Sequence, residues 1–326
     1  MDTPLSPDTT VTPTSIGLNP ARTDRQGYTR RKSGKGFTYL DCQGNRLSDK
    51  KTARCRELAI PPAWRNVWIA PSEKAHIQAY GTDDADRRQY IYHPAWQDAR
   101  QHAKFEGLLS FGDNLPRIRS RVHTCLREED CETELSVCTV IGFLDAGSLR
   151  VGSKRYLEKA GTIGATTLMR RHIQITSDHL ELDFPAKGGK QRHVELHDPD
   201  LIDAVSSLLE NASRSANAEL IHVSPAQVNR WLVKLTGEHF TAKHFRTWNG
   251  SVAASEALYR LRGKATVKAV TEAAADILGN TPAIAKSSYI HPRVLEAIND
   301  PPEDWPVDGP TRLRAPERRL YGLLKS

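Results

Sequence analysis

The sequence has no run of about 18 apolar residues, so no segment reads as a membrane-spanning helix. Its N-terminus lacks the basic-then-apolar layout of a signal peptide. The cysteines, Cys42, Cys55, Cys125, Cys131 and Cys138, are odd in number and form no C-x-x-C pair. Neither a disulfide framework nor a zinc site reads out of them, and a reducing cytoplasm is the expected compartment. There is no Walker loop, no G-x-G-x-x-G after a strand and no H-E-x-x-H. No cluster of Asp and Glu suits a pair of magnesium ions. These absences argue against ordinary nucleotide and metal enzymes, so no cofactor, nucleotide or metal is expected.

What is present points to a folded, basic chain. Its 326 residues fit two domains at the usual ~100–200 residues each. A hydrophobic share of 38% with 26% charged residues can fill a core. The net charge of +7 and pI of about 9.1 favour a polyanionic partner, because each phosphate met by Lys or Arg releases condensed counterions. His193 and His197 lie four apart, but on or beside a strand, where that spacing makes no helical ligand pair. They read as surface or DNA-facing residues, with metal binding the remote alternative.

Organisation follows from periodicity. Residues 1–21 are rich in Thr, Pro and Ser, with no Lys or Arg before Arg22, and are expected to form a disordered tail. A basic run from Arg22 to Lys35 follows, either a solvated face or an arm on phosphate. Short strands are predicted at 37–40, 67–69, 76–80 and 89–92, giving a small β-rich domain over 22–100. Helical periodicity dominates residues 101–326, with helices predicted at 96–111, 116–127, 135–144, 201–209, 225–235, 243–261 and 267–278. Three strands interrupt them, at 172–176, 179–184 and 192–196. Thr281-Pro282 is a good helix start, with Thr as cap and Pro at the first helical position. The fold class is therefore α+β.

Four short motifs carry basic or nucleophilic groups. They are Leu149-Arg150-Val151-Gly152, the glycine hairpin Ala186-Lys187-Gly188-Gly189-Lys190, Lys243-His244-Phe245-Arg246, and Asn280-Thr281-Pro282 followed by Lys286-Ser287-Ser288-Tyr289. Each has an ordinary reading when taken singly. Arg150 could pair with a carboxylate, Arg246 could cap a helix, and most tyrosines pack their ring and expose their hydroxyl.

In this order and spacing, the four motifs resemble the type IB DNA topoisomerases, especially the short bacterial and poxvirus forms. Outside the motifs, Ile60-Pro61-Pro62-Ala63-Trp64, Ile77-Gln78-Ala79-Tyr80-Gly81 and Arg87-Arg88-Gln89-Tyr90-Ile91-Tyr92 are similar to that family's DNA-gripping N-terminal lobe. The resemblance spans about Tyr28 to Val294. It implies a mainly α catalytic domain of the kind shared with tyrosine recombinases, carrying a three-stranded β element, and a monomer acting on duplex DNA in the nucleoid. It also implies roles. Tyr289 is the nucleophile, Arg150 and Arg246 hold the non-bridging oxygens, and Lys187 is the general acid, with Lys190 a nearby competitor. Lys243 assists at the phosphate. Asn280 stands where poxvirus and eukaryotic enzymes carry His, a replacement common in bacterial members, and its amide can still donate to a phosphoryl oxygen.

Gln78, Tyr80, Arg87 and Tyr92 are the expected DNA contacts of the N-terminal lobe. Core packing is the alternative for Tyr90 and Tyr92, on the expectation that strand alternation turns one of them inward. Two rival functions remain. Tyrosine recombinases share the chemistry but typically carry His-x-x-Arg where this chain has Lys243, and their N-terminal lobe is helical. A non-catalytic basic DNA-binding protein would not require a tyrosine among cations.

Overall fold

The computed structural model describes residues 11–34, 36–128 and 131–326, apart from the side chain of Lys104. The chain divides into two compact units, Met1–Glu106 and Gly107–Ser326. Among the described residues, no helix is long and apolar enough to cross a membrane. The α+β class expected from periodicity is what the chain adopts.

The first unit is built on β1 (Tyr28–Ser33), β2 (Gly36–Leu40), α1 (Asp49–Glu57), β3 (Arg65–Ile69), β4 (Ile77–Thr82), β5 (Arg88–Tyr92) and α2 (Pro94–Glu106). The strands form one antiparallel sheet in the order β2-β1-β3-β4-β5. Val67 and Ile69 face a core with Tyr39, Cys55 and Ile60, whereas Trp68 faces the other side with Ile77. That split is the period of two along a strand. Tyr90 and Tyr92 obey it as well: two apart, they share the Trp68 face and stack at 5.9 Å, while Ile91 packs on the other side. The expectation that one of the two tyrosines turns inward is therefore corrected.

Two further expectations change in this unit. Of the segment expected to be a disordered tail, residues 1–10 lie outside the described residues. Residues 11–21 pack down: Leu18 is buried, Asn19 bridges to Ala75, and the Ala21 amide donates to His76 Nδ1 at 2.9 Å. One apolar side chain and a few main-chain hydrogen bonds anchor a segment whose composition suggests none. Within the basic run, Arg30 is half-buried and its guanidinium is committed to the protein itself. Its guanidinium donates to the carbonyls of Ile60 (2.8 Å), Pro61 (2.5 Å) and Trp64 (3.0 Å) and lies over the Phe37 ring, fixing the proline-rich turn before β3.

The second unit begins with α3 (Leu108–Glu128) and α4 (Glu132–Ala146). α3 runs through Pro116, so the helix break lies at Gly107 rather than before the proline. Cys125 and Cys138 form a disulfide between α3 and α4, with Cα atoms 6.4 Å apart. No disulfide framework read out of the cysteine spacing, and this one pair is the correction, since helix packing brings together two residues whose spacing carries no motif. There follow α5 (Lys154–Ala160), the antiparallel sheet β6 (Ile173–Ile175), β7 (Leu180–Pro185) and β8 (Gln191–Leu196), then α6 (Pro199–Asn211) and α7 (Pro225–Thr236). The chain ends with α8 (Ala242–Leu261), α9 (Val267–Leu278), α10 (Pro282–Ser288), α11 (Pro292–Glu296) and α12 (Ala315–Lys325).

The centre of this unit is α8, which buries Phe245, Trp248, Gly250, Ala254 and Leu258 against α9, α12 and α4. A buried ion network fastens the C-terminal helix to this centre. Arg119 on α3 bonds Asp145 at 2.7 Å and Glu317 on α12 at 2.6 Å, and the Trp248 indole donates to Glu317. Glu317 also accepts from the Arg314 amide and so caps its own helix.

Candidate active site

Four elements of the second unit converge. The first is the chain leaving α4. Ser148 has φ +52°, Leu149 is buried, and Arg150 follows. The Ala165 amide donates to the Arg150 carbonyl at 2.8 Å, and the Thr166 amide to that of Val151 at 2.8 Å. Gly152 and Gly164 make this possible. A Cβ on Gly164 would lie 2.6 Å from the Arg150 carbonyl oxygen and from the Gly152 backbone, so only glycine permits the approach. The Arg-Val-Gly motif thus clamps main chain on main chain behind Arg150.

The second element is the β7–β8 hairpin. The Ala186 amide donates to the Lys190 carbonyl at 2.8 Å, and Gly188 and Gly189 take positive φ of +85° and +73°. Lys187 and Lys190 are both exposed at the tip. Ala186 and Phe184, at the hairpin's base, line a small cavity together with Ser148, Arg150, Arg192, Arg246 and Leu278.

The third is α8. Arg246 is 4% exposed and donates to the carbonyls of Ser148 and, at 3.0 Å, Leu278. Burial lowers its pKa, and repulsion from Arg150 and Arg192 adds to that, while Tyr289 acts the other way. Lys243, one turn earlier, is exposed.

The fourth runs from α9 to α10. Thr281 caps α10 as expected, its hydroxyl accepting from the Ile284 amide at 3.3 Å. Asn280 accepts from Arg150 through Oδ1, while its buried Nδ2 has no partner among the described residues. Tyr289 closes α10. Its carbonyl accepts from Ser251 Oγ at 3.1 Å, and its Cβ would meet any side chain on Gly250 at 3.1 Å. The Arg246 guanidinium lies 4.9 Å from the centre of its ring. Burial pushes the phenol's pKa up, but Arg246, then Arg150 and Lys243, outweigh it and leave it below the ordinary tyrosine value.

The structure thus brings Arg150, Arg246, Asn280 and Tyr289 together and places Lys243 within electrostatic reach. Lys187 and Lys190 stand on the adjoining hairpin. Arg192 on β8 was missed by the sequence reading. It donates to the carbonyls of Asp276 (3.0 Å) and Ile277 at the end of α9, and joins β8 to the turn that carries Asn280. Strand alternation across Gln191–Leu196 was the available signal for its inward side. Tyr156 on α5 was also passed over. It is 64% exposed, on a helix with Lys154, Arg155 and Lys159 just after Arg150.

In the first unit the expected contacts divide. Gln78 is buried and its amide is spent internally. It accepts from Arg54 at 2.6 Å and donates to the carbonyls of Glu73 and Ala75, so it presents nothing to a base edge. Arg87 is exposed but paired with Asp83 at 2.8 Å. Tyr80 is half-buried, stacked on Trp68 at 5.2 Å with Arg88 over its ring. Tyr92 is half-buried, and burial raises its pKa.

A phenol drawn toward ionisation, two guanidiniums and an amide nitrogen without a partner among the described residues thus meet in one place, a set whose chemistry suits a tyrosine oxygen held against an anionic phosphodiester. Residues 93–303 match the family model of the eukaryotic DNA topoisomerase I catalytic core, and residues 36–83 match the N-terminal domain of bacterial DNA topoisomerase IB. The chain belongs to the type IB DNA topoisomerase family. It is 25% identical to the DNA topoisomerase 1B of Acanthamoeba polyphaga mimivirus over 311 residues, covering 87% of this chain and 93% of the viral one. It is 20% identical to the DNA topoisomerase 1B of Vaccinia virus (strain Copenhagen), covering 68% of this chain and 72% of the viral protein. A solved XerH site-specific recombinase complex aligns with a TM-score of 0.35 at 14% identity, covering 67% of this chain and 59% of that one, a likeness too slight to carry an argument.

Proposed function

We propose that this enzyme relaxes supercoiled duplex DNA through a covalent bond between Tyr289 and the 3′ side of a broken strand. The Tyr289 oxygen attacks phosphorus, the bond from phosphorus to the 5′ oxygen breaks, and a 3′-phosphotyrosyl ester holds the strand end. The tyrosine proton passes to solvent, and the leaving 5′ oxygen takes one from the hairpin lysine, Lys187. The strand then rotates, and the 5′ hydroxyl attacks the ester to restore the original bonds. Because one phosphodiester is exchanged for another, religation needs no ATP.

One observation carries this reading: the buried Arg246 lies against the Tyr289 ring, and among the described residues no carboxylate is paired with it. A desolvated guanidinium with no acidic partner is costly. A phosphodiester passing through a pentavalent, doubly negative state supplies the missing charge. Arg150 and Arg246 take its non-bridging oxygens, and the free Nδ2 of Asn280 adds a neutral hydrogen bond. Oδ1 of Asn280 accepts from Arg150, which leaves Nδ2 as its uncommitted donor and supports the replacement of His by Asn. All of these groups belong to one chain, so a monomer suffices. The first unit supplies the DNA-gripping domain, and Tyr80, Tyr92, Arg87 and the exposed Arg88 are its contact residues.

Incubation with supercoiled plasmid in EDTA without ATP tests the proposal. A ladder of relaxed topoisomers is expected, with a covalent DNA adduct trapped by denaturation. Site-specific strand exchange between two duplexes would select the recombinase instead. Unchanged plasmid would leave only a DNA-binding protein.

A further inference from the structure

At the far end of the three-stranded sheet from the lysine hairpin, three potential metal ligands meet. Asp178 and His179 sit in the β6–β7 turn and His197 just after β8, with one ligand atom of each lying within 4.8 Å of the other two. We propose that Asp178, His179 and His197 bind a divalent transition ion of the zinc class, and that the ion staples the closed end of this sheet.

Strand pairing builds the arrangement. Leu180 opposes Leu196 in β7–β8, so the next pair outward is His179 with His197, and their rings lie 5.4 Å apart. Cross-strand neighbours on one face are held with Cβ atoms roughly 5 Å apart, close enough for two imidazoles to share an ion. Asp178 adds a carboxylate from the turn, its Oδ1 lying 2.9 Å from His179 Nδ1. The other imidazole nitrogen, Nε2, meets Glu181 Oε1 at 2.9 Å. A carboxylate behind a histidine is how metal sites fix the ring and raise its basicity, and here it leaves Nδ1 facing Asp178 and the Thr176 hydroxyl, which lies 2.8 Å away and must turn aside for an ion to enter. Ligands bound at about 2.1 Å in a tetrahedron stand roughly 3.4 Å apart, so small side-chain rotations suffice. Two imidazoles and one carboxylate suit Zn2+ and its neighbours rather than Mg2+ or Ca2+, and leave a coordination position for water.

The other cluster of this kind among the described residues, His123 with Asp198 and Asp200, is a poorer case. Arg127 already neutralises Asp200 at 2.8 Å. The proposed staple lies a full strand away from the hairpin, about 20 Å at ~3.3 Å per residue. It would join β6, β7 and β8 without touching the reacting groups.

Titration of the metal-free full-length protein with Co2+, followed by its visible spectrum, tests this. One saturating equivalent is expected, with nitrogen and oxygen ligation and no thiolate charge-transfer band. The thermal midpoint should rise by about 5 °C at a free ion concentration roughly 100 times Kd. His197→Ala and Asp178→Ala should each weaken binding by about 10-fold or more, and Glu181→Gln by roughly 10-fold. His193→Ala and Cys131→Ser should bind as the parent does. His197→Gln stands in for any alanine variant whose metal-free melt is altered. Binding that survives when His197→Ala and Asp178→Ala are combined, a thiolate band lost with the cysteines, or no saturable binding up to about 1 mM would each overturn the proposal.

Discussion

Arg246 and Lys187 belong to the same candidate site and are held in opposite ways. Arg246 lies inside α8, 4% exposed, with its guanidinium fixed by the carbonyls of Ser148 and Leu278. Lys187 stands exposed on a hairpin tip whose two glycines take left-handed conformations. The comparison separates two demands of phosphoryl transfer. Charge that must oppose a transition state is most effective when desolvated and pre-organised. A proton donor must instead reach the leaving oxygen only when DNA is present, so it can ride on an exposed loop positioned by a rigid sheet. In the proposed mechanism the buried half of the site is set by the fold, and the exposed half is brought to the leaving oxygen when DNA binds.

Several variants can break or sharpen that contrast. The largest effect is expected from Tyr289→Phe, which should abolish relaxation and covalent adduct while leaving DNA affinity nearly intact, because phosphate contacts supply the affinity. An adduct recovered from this variant in a denaturing gel would remove Tyr289 from the mechanism.

Arg246→Ala should slow single-turnover cleavage by roughly 100- to 1,000-fold. It should also move the pH profile. The cations hold the Tyr289 phenol below its ordinary value against the effect of burial, so removing the strongest of them leaves burial dominant and raises it. The pH at which cleavage levels off should therefore shift upward. An unmoved profile would show that Arg246 does not act on the tyrosine.

For the exposed half, Lys187→Ala should slow cleavage by ~100-fold, and a substrate with sulfur at the bridging 5′ position should restore the rate, since a thiolate leaves without a proton. Rescue of Lys190→Ala but not Lys187→Ala would transfer the role to the other lysine of the hairpin.

Asn280 sits between the two halves. Asn280→Ala should cost up to ~100-fold in cleavage with little change in binding, and Asn280→His should keep substantial activity. Full-rate cleavage by Asn280→Gly would reduce Asn280 to turn chemistry. The smallest effect belongs to the first unit. Arg87→Ala should weaken DNA binding only about 2- to 3-fold and lower its salt dependence by about one counterion. Gln78→Ala should act on the thermal melt rather than on DNA affinity, because its amide bonds only protein.

The order of elements, the α+β class and the grouping of basic motifs were legible in the sequence, because each rests on local rules. Alternation marks β3–β5 and β6–β8, a 3.6-residue period marks α4 and α6–α9, and Thr281-Pro282 marks the start of α10. The candidate reacting groups, Arg150, Lys187, Arg246, Asn280 and Tyr289, could be named from the sequence because each sits within a short motif whose order and spacing resemble the family's. What the sequence could not fix depended on contacts between distant residues. Gln78 and Arg30 are polar side chains of the kind that meet DNA, and only the folded sheet shows their hydrogen bonds spent on protein carbonyls and side chains. The Cys125–Cys138 pair exists because α4 packs on α3, the bonds of Arg192 because β8 runs beside the end of α9, and the seat of Tyr289 because Gly250 lets α10 close on α8. Periodicity and capping act within a few residues and are written in the chain. Packing, desolvation and the field on a buried phenol sum over neighbours tens or hundreds of residues away, and they become definite only when the tertiary structure brings those neighbours together.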